Sequence, residues 1–161
     1  MNSTGCPDGS GWDLNCPPNG IAASILKSIS VDNSLRAFLS SHVPLLPASA
    51  LAYLGDAVYE LYVRTYYVLP PKRSQLYHQQ VVAQVRAEQQ ANHLLCLLPL
   101  LTEDEHDLLK RGRNAVVSKP KRVSADIYQQ ASSLETLIGY LYLTNPQRLA
   151  QLMQHLDFGQ Y

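Results

Sequence analysis

Charge is scarce in this chain. Of its 161 residues only 16% are Asp, Glu, Lys or Arg, against roughly a quarter in soluble domains. Thirteen basic residues balance thirteen acidic ones and the formal net charge is zero, so the total gives no reason to expect a nucleic-acid binder. Cysteine is also sparse. Cys6, Cys16 and Cys96 are odd in number and widely spaced, which suits neither a disulfide framework nor a zinc site. Reduced thiols in a cytoplasmic protein are expected instead. The first twenty residues lack the basic start and apolar run of a signal peptide. The longest strongly apolar stretch, LLCLLPLL at 94–101, contains Pro99 and falls far short of the ~20 residues that span a bilayer, so no membrane association is expected. There is no glycine-rich phosphate loop and no Gly-x-Ser-x-Gly turn. The histidines at 42, 78, 93, 106 and 155 show no ligand spacing.

What is present is 46% apolar residues, enough for one packed domain. A chain this apolar with so few charges points to surface buried in a partner, and hence to an oligomer. Residues 1–20, rich in Gly, Pro, Ser and Asn, cannot offset the entropy of ordering and read as a disordered tail. Residues 21–41 read as one or two short helices interrupted near Asp32 and Asn33. Residues 1–40 are therefore assigned as an N-terminal extension and 41–161 as the folded domain. Pro44 and Pro47 punctuate the entry to that domain.

Beyond residue 48 the periodicity is helical throughout, with no alternating strand or hairpin signal. Residues 48–68 predict a long apolar helix closed by Pro70 and Pro71. Residues 73–97 predict a second, ended by Pro99. Thr102-x-x-Glu105 has the form of a capping box and opens a third. Ser124 or Asp126 caps a fourth, running to about Leu143. Asn145-Pro146 starts the last, which ends before Gly159.

Two acids stand out because their surroundings are apolar. Asp56 lies in LAYLGDAVYEL and Glu135 in SSLETLIGYLYL. A lone carboxylate in such a helix costs several kcal/mol, on the order of 3–5, unless paired or metal-bound. Each has a glycine nearby, Gly55 and Gly139, and a mid-helix glycine costs about 1 kcal/mol relative to Ala. From its helix alone, Asp56 is equally compatible with facing solvent or pairing an arginine. Two such carboxylates on packed helices would form a hard oxygen site suited to Mg2+, with Mn2+ as a substitute. Glu60, one turn beyond Asp56, either joins that site or pairs with Arg64, and the i,i+4 ion pair is favoured. A basic segment, KRGRNAVVSKPKR at 110–122, holds no acid. Gly112 and Pro120 imply a helix end and a loop there. Arg111, Arg113, Asn114, Lys119, Lys121 and Arg122 are its candidate phosphate donors, although most such runs are ordinary solvated loops.

LAYLGDAVYELYVR at 51–64 resembles the signature helix of ribonuclease III catalytic domains, and SSLETLIGYLYL at 132–143 resembles that family's later helix. KRGRNA at 110–115 is similar to the linking element of its Mini-III subgroup, which carries no double-stranded RNA-binding domain. The resemblance covers about residues 45–157. It implies an all-α endonuclease domain forming a two-fold homodimer around an A-form duplex, recognised mainly by shape, phosphates and 2′-hydroxyls. It further implies hydrolysis of double-stranded RNA with Mg2+, leaving 5′-phosphate and 3′-hydroxyl ends, and a substrate in the precursor of large-subunit (23S) ribosomal RNA. By position, Asp56 and Glu135 match the family's catalytic, metal-binding aspartate and glutamate. Ala52, Ser132 and Ser49 stand where the larger enzymes carry further acids, in the Mini-III pattern. The rival, a catalytically silent RNA-binding or assembly module of the same fold, would be expected to have lost Asp56 or Glu135, and both are present.

Overall fold

The structure, a computed structural model, describes residues 32–116 and 123–159. The predicted tail at 1–20, and Lys119, Lys121 and Arg122 of the basic segment, lie outside the described residues. Within them every regular element is helical: α1 (Asn33–His42), a 3-10 turn (Val43–Leu45), α2 (Ala48–Tyr67), α3 (Ser74–Gln84), α4 (Ala87–Leu97), a second 3-10 turn (Leu98–Leu100), α5 (Glu103–Asn114), α6 (Ala125–Thr144) and α7 (Pro146–Met153). The all-α class is as expected.

Helix boundaries follow local chemistry. The Asp32 carboxylate accepts from the Ser34 and Leu35 amides and starts α1. Thr102 and Glu105 complete the expected capping box of α5. Ser124 caps α6, accepting from Ile127. Asn145 caps α7, with Pro146 in its first turn. Capping removes otherwise orphaned amides at each start.

α6 is the central element, and α1, α2, α4, α5 and α7 all pack against it. Leu134, Leu137 and Ile138 of α6 are fully buried with Leu51, Tyr59 and Tyr62 of α2 and Leu97 of α4. Two glycines let α2 and α6 touch backbone to backbone. A Cβ on Gly55 would lie 1.8 Å from the Glu135 carbonyl oxygen, and one on Gly139 would lie 2.0 Å from that of Leu51. α5 is fixed to α6 through a third close approach, where a Cβ on Gly112 would meet Thr136 Oγ1 at 2.6 Å. Ser133 Oγ donates to the Leu109 carbonyl at 3.0 Å on the same interface. α7 is tied back to α5 by Arg148, which forks onto both Glu105 oxygens at 2.9 Å and donates to the Leu100 carbonyl. That fork holds the Glu105 carboxyl below its ordinary range.

One expectation fails. Residues 73–97 are two helices rather than one, because Arg86 is extended between α3 and α4. The Gln84 carbonyl, freed at the end of α3, accepts from buried Tyr59 OH at 3.1 Å, and the same hydroxyl lies 2.8 Å from His93 Nδ1 on α4. A tertiary contact thus holds a break that no proline or glycine marks. The basic segment does contain the expected helix end, at Asn114, and Gly112 lies two residues inside it. Its role is close packing on α6.

The two uses of glycine oppose each other, so Gly55→Ala has a diagnostic sign. Helix propensity alone would stabilise by about 1 kcal/mol. The collision with rigid backbone outweighs it, because overpacking against groups that cannot rotate away costs about 1–3 kcal/mol or more. We expect a net loss of roughly 2 kcal/mol or more in urea denaturation; a gain would refute this account of the α2–α6 contact.

Candidate active site

The contact between α2 and α6 dictates where their acids point. Asp56 follows Gly55, and Glu135 lies one turn before Gly139 on α6. Because Gly55 sits against the Glu135 backbone, the two side chains emerge from adjoining turns. They line one cavity of about 410 Å³, whose wall also includes Ser49, Ala52, Tyr53, Gly112, Tyr128 and Ser132. The convergence inferred from the two apolar helices is therefore present. Asp56 is exposed on the cavity and Glu135 half-buried in it.

The electrostatics are those of an under-compensated acidic pair. Burial raises the Glu135 pKa to about 7, with the nearby Asp56 charge adding to the rise. Asp56 is raised as well, chiefly by desolvation and then by Glu60. Against both shifts stands the Gln90 carboxamide of α4, a polar neighbour that favours the charged form of each acid. Gln90 is 2% exposed. Sequence reasoning missed it: a glutamine in a helix ordinarily faces water, and only the turn of the chain at Arg86 aims this one inward. Glu60 takes the helical alternative, pairing with Arg64 at 2.6 Å.

The three positions where the resemblance places further acids, Ser49, Ala52 and Ser132, all line the cavity as small residues. Among the described residues no group of three or more His, Cys, Asp or Glu is placed to hold a metal ion. The donor set is thus two carboxylates with room for water. That composition fits Mg2+, which binds through one or two carboxylates and keeps several of its waters. It fits zinc poorly, since zinc sites draw on three or four protein ligands, mostly nitrogen and sulfur.

The basic segment meets the cavity at one end. Gly112, Ala115 and Val116 of the α5 terminus line its wall. Two of its cations have acid partners, however. Arg113 pairs with Asp126 at 2.8 Å and also donates to Gln129, and Lys110 pairs with Asp107 at 2.7 Å. The sequence run holds no acid, but the fold brings one from the start of α6 and α5 supplies another one turn back. Both pairs are solvent-exposed, and exposed pairs of this kind yield readily to a competing anion. Arg111 reaches the Leu46 carbonyl at 3.4 Å, and Asn114 closes α5.

Comparison with known proteins adds an independent observation. Residues 49–146 match the family model of the ribonuclease III domain. The chain is similar to the Mini-ribonuclease 3 of Thermosynechococcus vestitus, with 55% identity over 69% of this chain and 74% of that protein. It is also similar to the Mini-ribonuclease 3 of a Synechocystis species, at 56% identity over 67% and 76% respectively. A crystal structure of a Fusobacterium nucleatum protein superposes with a TM-score of 0.57 at 32% identity, covering 60% of this chain and 78% of that one.

The raised Glu135 pKa has a testable sign. Between its ordinary value near 4.5 and about 7 the folded protein holds a proton that the unfolded chain has released. Stability from this group is therefore complete below that window and is lost as pH rises through about 7. In chelator, Glu135→Gln should melt progressively higher than the wild type as pH is taken from 5 to 8, and Mg2+ should narrow the gap. A melting difference that stays flat with pH would contradict the shift.

Proposed function

The chain belongs to the ribonuclease III family, alongside the Mini-ribonuclease 3 proteins, and we propose that it hydrolyses double-stranded RNA with Mg2+ in the maturation of precursor large-subunit (23S) ribosomal RNA. The observation that carries this reading is the meeting of Asp56 and Glu135 on one cavity inside the segment matched to the family. Asp56 and Glu135 are the catalytic pair and would hold the cation. When bound, Mg2+ supplies the Lewis acidity for phosphodiester hydrolysis. The chain's own residues do the rest. The two carboxylates fix the position at which negative charge on the reacting phosphate is met. Arg111, Arg113 and Asn114, with Lys119, Lys121 and Arg122 of the following segment, engage phosphates flanking the scissile one. A phosphate displacing Asp126 from Arg113 gains a bidentate partner and loses only a solvent-exposed ion pair.

The working unit in this reading is a two-fold homodimer in the cytoplasm, each protomer cutting one strand and leaving 5′-phosphate ends. Its support is the set of large apolar side chains left in water, with Phe38 58%, Leu45 79% and Tyr53 86% exposed, together with the low overall charge. Tyr53 lies one turn before Asp56 and also lines the cavity, so an interface there would adjoin the site. No described helix is long and apolar enough to cross a membrane. Light scattering should give twice the protomer mass, and a monomer at micromolar concentration would remove the dimer from the proposal.

Duplex RNA tests the chemistry and the binding together. The wild type should cut a long duplex with Mg2+ and stop in chelator. Asp56→Asn should lower the rate by about 10²–10³-fold, the loss seen when one charge-stabilising group is removed, while still binding the duplex. Equal cleavage by wild type and variant would reject the site. Arg111→Ala with Arg113→Ala should weaken duplex binding and flatten its dependence on salt by roughly one to two units of log–log slope. An unchanged slope would exclude these arginines from phosphate contact.

A further inference from the structure

Beside its two acids the cavity wall holds polar side chains that carry no charge. Tyr128 and Ser132 stand seven and three residues before Glu135 on α6. Helical spacing puts the three on one face, and all three line the cavity. Other hydroxyls of α6 are taken up within the protein. Ser133 donates to the Leu109 and Gln129 carbonyls, Thr136 to that of Ser132 and Thr144 to that of Tyr140. The core tyrosines Tyr59, Tyr62 and Tyr66 likewise donate to main-chain carbonyls. The hydroxyls of Tyr128 and Ser132 have no such partner among the described residues. Both residues are half-buried, and a polar group drawn from water without a partner is held at a cost.

The charge of this wall selects what it can face. Among the described residues lining the cavity none is basic, and two are acids. A phosphate not carried on a cation is repelled there. Arg111 and Arg113 do not line the cavity and are left to meet phosphates outside it. The ribose edge is neutral. Its 2′-hydroxyl donates and accepts, as a tyrosine hydroxyl does, and an A-form duplex displays these hydroxyls along its wide minor groove. We propose that Tyr128 is a specificity-determining residue, its hydroxyl bonding the 2′-hydroxyl of a nucleotide beside the scissile phosphate. The wall of the site then tells RNA from DNA, since the 2′-hydroxyl is the group by which the two differ. A site built to bond a hydroxyl rejects the analogue that lacks it, because the protein group is left unpaired.

This inference rests on the cavity being the site of duplex RNA hydrolysis, and its test keeps the two claims apart. Dissociation constants are measured in chelator, so that no strand is cut. The probes are an RNA duplex and the same duplex with 2′-fluoro in place of every 2′-hydroxyl, a change that keeps A-form geometry and removes the donor. Tyr128→Phe keeps the ring and loses only the hydroxyl. We expect it to weaken RNA binding about three- to tenfold, the loss of one hydrogen bond, and to leave affinity for the fluorinated duplex unchanged. Equal RNA affinities of wild type and variant would overturn the contact. An equal loss on both duplexes would overturn it too, because a merely structural role of the phenol acts on both alike. Should Tyr128→Leu weaken both duplexes while Tyr128→Phe matches the wild type, the ring stacks on a base and the proposal fails. A wild type that binds neither duplex would overturn the RNA reading itself.

Discussion

Everything at the site descends from two backbones touching. α2 and α6 approach at Gly55 and Gly139 until neither position has room for a Cβ. Helices separated by ordinary side chains lie about 8–10 Å apart, and acids on their flanks would then look past each other. Here the contact brings Asp56 and Glu135 out of adjoining turns into one cavity. The glycines give up helix propensity at two places in the middle of long helices, and the return is a fixed distance between two charges.

That distance would be unstable in an empty, dry site. Removal from water pushes both pKa values upward; the Glu60 charge adds to the rise at Asp56, and the Asp56 charge adds to that at Glu135, which reaches about 7. A polar side chain from a third helix, Gln90 of α4, opposes both shifts. α4 is presented to the pair because Tyr59 takes the carbonyl of Gln84 and the chain turns at Arg86. The C-terminal segment keeps that arrangement in place. Phe158 packs against the rings of Tyr59, Tyr62, Tyr66 and His93, and its carbonyl accepts from Gln84 Nε2. Residues distant in sequence from either acid thus decide how well the acids are supported.

The legible part of this molecule was what a single helix can write. Apolar periodicity, caps at Thr102, Ser124 and Asn145, and two acids with glycines beside them are local patterns, and each appears in the fold as expected. What stayed hidden depends on a second element. The break between α3 and α4 is held by a tyrosine twenty-five residues upstream of Gln84. Gly112 looks like a helix terminator until Thr136 is seen against it. Arg113 looks unpaired until α6 delivers Asp126. Gln90 carries no mark at all, since burial alone distinguishes it from the glutamine before it.

The small residues around the cavity complete the physical picture. Ser49, Ala52 and Ser132 occupy wall positions at which the resemblance to larger ribonuclease III enzymes places acids. Each additional carboxylate there would push Glu135 further toward its protonated form by like-charge repulsion. Small walls and a close backbone contact thus act together: few charges face the cavity, and the Gly55–Gly139 approach fixes the backbone from which each one projects.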